Sequence, residues 1–101
     1  NIVIFGEKKN QSEIRKLKEM LKNVCDYYSV DFEQIFEVYF DNIRNEQDLY
    51  QKANENLNPS VSLCFWVLPG KKNAGINYDK IKRFMVNELP VPSQMILTST
   101  I

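Results

Sequence analysis

Two uninterrupted apolar runs limit what this chain can become. Ile2-Val3-Ile4-Phe5 ends at Gly6, and the longer run from Val61 to Leu68 ends at Pro69-Gly70. Neither shows the polar alternation of a half-solvated strand. Both therefore read as strands buried on two faces, as a parallel sheet covered by helices requires. Between them, Ile14, Leu17, Leu21, Val24 and Tyr28 recur at three and four residues. That spacing predicts a helix with Asn10 as N-cap and Glu13 as its capping partner. Phe36, Val38 and Phe40 alternate with Glu37 and Tyr39 up to Asp41-Asn42, which predicts a less buried strand. Leu49, Ala53 and Leu57 mark a second helix, opening near Asn45 and closing before Pro59. Ile81, Phe84 and Met85 give the apolar face of a third helix that Pro90-Val91-Pro92 ends, and Met95-Ile96-Leu97 opens a last strand. Strand and helix thus alternate throughout, predicting an open α/β sheet, mainly parallel, with helices on its faces.

The length of 101 residues and a hydrophobic content of 44% fit one domain over 1–101. No apolar run approaches the roughly 18 residues of a membrane span. No basic leader precedes the first strand, so an intracellular setting, cytoplasmic or nuclear, is expected. Cys25 and Cys64 lie inside apolar patterns and read as reduced core residues. The chain opens on Asn1 and ends at Ile101 straight after a strand pattern, which suggests a segment of a larger protein with its sheet truncated at the C-terminus.

Composition also removes chemistries. There is no histidine, so the commonest general base and the main zinc ligand are missing. No GxGxxG follows the first strand and no GxxxxGK[ST] occurs, which removes two phosphate-binding fingerprints. Two separated cysteines make no metal site. A binding module is expected rather than an enzyme. Net charge is zero, which argues against a general nucleic-acid coat. Charge is nonetheless segregated, because residues 31–58 carry seven acidic and two basic groups, whereas residues 59–101 carry two and five.

In open α/β sheets, ligands sit beyond the carboxyl ends of strands, where loops enter helix N-termini. The stretch VSLCFWVLPGKKNAGINYDKIK (61–82) occupies that location, and Gly6-Glu7-Lys8-Lys9 does so less specifically. At roughly 100° per residue, Ile81, Phe84 and Met85 share one arc of the third helix, opposite Asp79, Lys80, Arg83 and Asn87. Tyr78 and Lys82 fall together at the edge of the apolar arc. Geometry alone favours a packed ring and a lysine whose stem covers apolar surface. The functional reading makes the ring a stacking face for a base and the ammonium a partner for a phosphate.

Three elements in order carry a resemblance: Leu68-Pro69-Gly70-Lys71, then Tyr78-Asp79-Lys80-Ile81-Lys82, then Pro90-Val91-Pro92-Ser93-Gln94. Together they resemble the MID domain of Argonaute proteins, and the PVPSQ form is similar to the PIWI branch. Upstream of residue 61 only the strand and helix pattern matches. The resemblance implies a Rossmann-like fold that anchors the 5′ end of a small guide RNA, piRNA-like, in RNA-guided gene silencing. It implies that Tyr78 stacks on the first base while Lys82 and Gln94 hold the 5′ phosphate. It further implies that the loop from Pro69 to Asn77, with Gly70, Lys71, Lys72 and Asn77, reads the first base. That loop is longer here than in the Argonaute branch proper. A further phosphate-binding lysine would lie beyond Ile101. No cofactor is required; PIWI-branch members tend to place Mg²⁺ at the 5′ phosphate, and here it would enter only with the RNA. The implied partners are a 5′-phosphorylated guide RNA and the PIWI and PAZ domains of the same protein, with no membrane. Target cleavage would belong to the separate PIWI domain.

Two other readings stay open. A Rossmann-like domain of an enzyme could bind a nucleotide or small phosphate at the same helix end. A protein-interaction module could use the acidic surface of residues 31–55, including Glu46 and Asp48.

Overall fold

A computed structural model describes residues 1–29, 34–42, 45–68, 83–84 and 91–98. Its elements are β1 (Ile2–Glu7), a short 3₁₀ turn at Lys8–Asn10, α1 (Gln11–Tyr27), β2 (Ile35–Phe40), α2 (Glu46–Asn56), β3 (Leu63–Leu68) and β4 (Ser93–Leu97). The four strands form one sheet in the order β2-β1-β3-β4, and every pairing is parallel. The expected α/β fold with a parallel sheet and helices on both faces is the fold observed. Of the predicted third helix, only Arg83 and Phe84 are described, and both are helical.

The uninterrupted apolar runs behave as their composition requires, with every residue of β1 buried. Side chains alternate between two cores, one on each face of the sheet. On one face Val3, Phe5, Phe40, Cys64, Trp66 and Leu68 pack with Leu49 and Ala53 of α2. Trp66 is fully buried at the centre of this layer, stacked on Phe5 at 4.4 Å between ring centroids. On the other face Ile2, Ile4, Ile35 and Val67 pack with Ile14 and Leu17 of α1.

Gly6 sets how closely α1 approaches β1. A Cβ at that position would lie 2.3 Å from Ile14 Cδ1. The strand does not end at this glycine, as its sequence suggested, but runs on through Glu7.

Three further local expectations are corrected. Asn10 occupies the N-cap position of α1 without a capping side-chain hydrogen bond. The preceding 3₁₀ turn leaves it at φ −103°, ψ 22°, outside the extended backbone that presents a cap to the first turn. The hydroxyl of Ser12 donates to Glu13 instead, at 3.1 Å. Second, the apolar stripe of α1 is buried only at its start: Val24 is 54% and Tyr28 69% exposed. From Ile14 to Tyr28 the helix advances about 21 Å, whereas from Gly6 back to Ile2 the strand covers about 13 Å, so the helix outruns the sheet. Third, Cys25 is for the same reason only half-buried, while Cys64 is buried, and both are free thiols. By contrast, Asn45 caps α2 as its position suggested, its side-chain oxygen accepting from the Asp48 amide at 3.2 Å.

Among the described residues, no helix is long and apolar enough to cross a membrane.

Candidate functional site

The strand order creates a switch point. From β1 the chain moves to β2 on one side by way of α1, then returns past β1 to β3 by way of α2, and β4 extends the sheet further on that second side. The two helices lie on opposite faces. The switch point therefore falls between the carboxyl ends of β1 and β3, the location at which open α/β sheets hold ligands. Glu7 ends β1 there, and Leu68 ends β3 immediately before Pro69-Gly70.

Glu7 is the one buried charged residue among those described, only 3% exposed. It pairs in register with Phe40 of β2, and alternation along β1 turns it to the face of Val3 and Phe5. Among the described residues its Oε1 has no hydrogen-bond partner. Its Oε2 lies 3.8 Å from Lys9 Nζ, too long for a hydrogen bond. Nδ2 of Asn10, three residues on, is buried without a partner as well. Among the described residues, a second charge pair stands at this rim. Lys8 Nζ meets Asp41 Oδ1 at 2.7 Å across the loops that leave β1 and β2. The hydrogen bond between them raises the lysine pKa and lowers that of the aspartate.

Of the predicted site residues, Gln94 is described. It is the second residue of β4, exposed, in register with Phe65 of β3. That places it three residues, or about 10 Å, back from the end of β3. Its Nε2 donates to the Met95 carbonyl at 3.2 Å, a local contact that leaves the amide accessible. Alternation puts Gln94 on the face of Ile96, the α1 side, whereas Phe84 packs with Tyr50 of α2 on the other, at 4.2 Å between ring centroids. Gln94, on edge strand β4, thus stands on the opposite face of the sheet from Phe84. Tyr78, Lys82 and the loop residues Gly70, Lys71, Lys72 and Asn77 lie outside the described residues.

One polar cluster and one buried thiol are structural in character. Tyr39 Oη donates to Glu37 Oε1 at 2.6 Å and Lys18 Nζ donates to Glu37 Oε2 at 3.3 Å, joining α1 to edge strand β2. The tyrosine hydrogen bond, aided by Lys18, holds the Glu37 carboxyl below its ordinary range against an opposing effect of burial. Burial and the Glu37 contact push the Tyr39 hydroxyl up to about 12. Cys64 is no nucleophile, since burial pushes its thiol up to about 11 and so keeps it protonated.

Among the described residues, no group of three or more His, Cys, Asp or Glu could hold a metal ion. They offer no protein cage for Mg²⁺, and no chemical step is assigned to one. Glu7 is the residue that sequence reasoning undervalued. A glutamate after a glycine that closes an apolar run reads as solvated loop, and nothing in its neighbours announces that the strand carries it inside. No family model matches the chain, and no curated protein matches its sequence.

Proposed function

We propose that this chain binds the 5′ end of a small guide RNA at the carboxyl rim of its sheet. A single observation carries the reading. The all-parallel order β2-β1-β3-β4 puts the end of β3, from which the Lys71-Lys72 loop departs, at the topological switch point. The run from Leu68 to Lys71, the Tyr78 to Lys82 segment and the Pro90 to Gln94 segment supply the chemistry, through their resemblance to the PIWI-type MID domain. Tyr78 stacks on the first base, and Lys82 and the exposed amide of Gln94 hold the terminal phosphate. A terminal phosphate carries extra charge and free oxygens, so a few charge-assisted hydrogen bonds select it without an overall basic surface. Net neutrality is then no obstacle.

The residues act by binding and orienting, and any cleavage of a target would belong to another domain of the same protein. Lys82→Ala and Gln94→Ala are each expected to weaken binding of 5′-phosphorylated RNA about tenfold, the loss of one charge-assisted contact. Binding of 5′-hydroxyl RNA should change little. Equal losses on both RNAs would argue against a phosphate pocket. The competing reading, an enzyme domain for a nucleotide or small phosphate, predicts thermal stabilisation by free mononucleotides and none by RNA.

A further inference from the structure

The end of β1 contributes a second half to this site. Glu7 is 3% exposed, its Oε1 has no partner among the described residues, and it sits on the central strand at the switch point. Lys9 Nζ, 3.8 Å from Oε2, supplies a neighbouring charge but leaves Oε1 without a hydrogen bond, and a buried oxygen in that state is costly because burial removes the water that would otherwise solvate it. Such a residue contributes little to holding the fold together. An orphaned buried polar group at the rim of the sheet is a place where a ligand can complete the hydrogen bonding. The face matters too. Glu7 points to the α2 side of the sheet, the side on which Phe84 packs against Tyr50. It therefore shares a face of the sheet with Phe84, the described residue that follows the Tyr78 to Lys82 segment in the sequence.

The chemistry of the partner follows from that of the carboxylate. Ionised, it only accepts hydrogen bonds, so the group it meets must donate an N–H or O–H. A phosphate offers acceptor oxygens rather than donors and so does not satisfy Oε1. We infer that Glu7 is a specificity-determining residue that accepts a hydrogen bond from the terminal nucleoside of the bound RNA, from its ribose hydroxyl or from a base N–H. The inference rests on the guide-anchoring reading. It assigns the nucleoside end to Glu7 and leaves the phosphate end to Lys82 and Gln94.

The test compares the full wild-type chain with Glu7→Met, which is similar in length and carries no charge. Fluorescence anisotropy is measured with 5′-phosphorylated RNAs that differ only in the first nucleotide, with a variant lacking the 2′-hydroxyl at that nucleotide, and with a 5′-hydroxyl control. The wild type is expected to discriminate about tenfold in the base series or against the 2′-deoxy RNA, the size of one good directional contact. The arm that responds identifies the donor. Glu7→Met should flatten that arm to within about twofold, retain the preference for a 5′ phosphate and melt at the same temperature or higher. A wild type indifferent to both changes, or a variant that keeps the discrimination, overturns the inference while leaving phosphate anchoring intact. A lower melting temperature with uniform weakening on every RNA assigns Glu7 a structural role and also overturns it. Absence of a phosphate preference in the wild type sinks the anchoring reading and this one with it.

Discussion

Replacing Gly6 with alanine tests how the site is placed, because Gly6 brings α1 against the strand that ends in Glu7. The added Cβ would stand 2.3 Å from Ile14 Cδ1, 3.2 Å from Ile14 Cγ1 and 3.5 Å from Val67 Cβ. Carbon atoms rest comfortably at about 3.5–4.0 Å, so Cδ1 must retreat by more than an ångström. Ile14 is fully buried and has no solvent into which to swing. Overpacking of this kind costs about 1–3 kcal/mol. The stiffer unfolded chain of the alanine variant returns about 0.4–1 kcal/mol. The net expectation for Gly6→Ala is a loss of about 1–2 kcal/mol. Ile14→Val removes the clashing Cδ1 and alone costs about 0.5–1.5 kcal/mol. In the double variant the space vacated by Cδ1 accepts the new methyl, so its loss should resemble that of Ile14→Val alone. Urea denaturation followed by far-UV circular dichroism measures all four corners of this cycle, with a coupling of about 1–2 kcal/mol expected. Additive losses, or a neutral Gly6→Ala, would refute the argument that close approach requires a glycine here.

Other perturbations follow from particular contacts. Asn45→Ala removes the α2 cap and should cost about 1 kcal/mol, read as a fall in melting temperature of about 4–8 °C. Leu17→Ala, at a position 6% exposed, should cost about 2–5 kcal/mol, whereas Val24→Ala, at 54% exposed, should stay within about 0.5 kcal/mol in the same melts. Tyr39→Phe deletes the hydrogen bond to Glu37, and its partial exposure limits the loss to about 1 kcal/mol. The pH dependence has a sign on each side. Tyr39 is raised from 10.0 to about 12, so its contribution is complete below 10.0 and fades as pH rises through about 12. Glu37 is lowered from 4.5, so its contribution holds above 4.5 and fades as pH falls through its lowered folded value. Urea titrations of wild type and Tyr39→Phe should therefore differ most between these limits and converge outside them.

What the sequence revealed depended on how far each signal reaches. Buried parallel strands were legible in Ile2 to Phe5 and in the run before Pro69, since only burial on two faces tolerates unbroken apolar residues. The α2 cap was legible because Asn45 needs nothing beyond its own first turn. Asn10 looked equally suited to capping, but the 3₁₀ turn before it changed the backbone on which a cap depends. Val24 and Tyr28 continue a helical stripe that periodicity reports faithfully, while the length of sheet available to cover it is a tertiary quantity. Gln94 could be picked out by the segment around it, but its place on the α1 face of an edge strand is set by register with β3. Glu7 was the least legible, because its burial follows from one extra residue of strand at the centre of the sheet. Tyr78 and Lys82, to which the proposed anchoring assigns most of its chemistry, lie outside the described residues.

The most direct test of the central claim is the affinity of the full chain for two short RNAs identical except for a 5′ phosphate or a 5′ hydroxyl, measured by fluorescence anisotropy. The account predicts at least about tenfold tighter binding of the phosphorylated RNA, lost in Lys82→Ala. Equal affinity of the folded protein for both RNAs would contradict it.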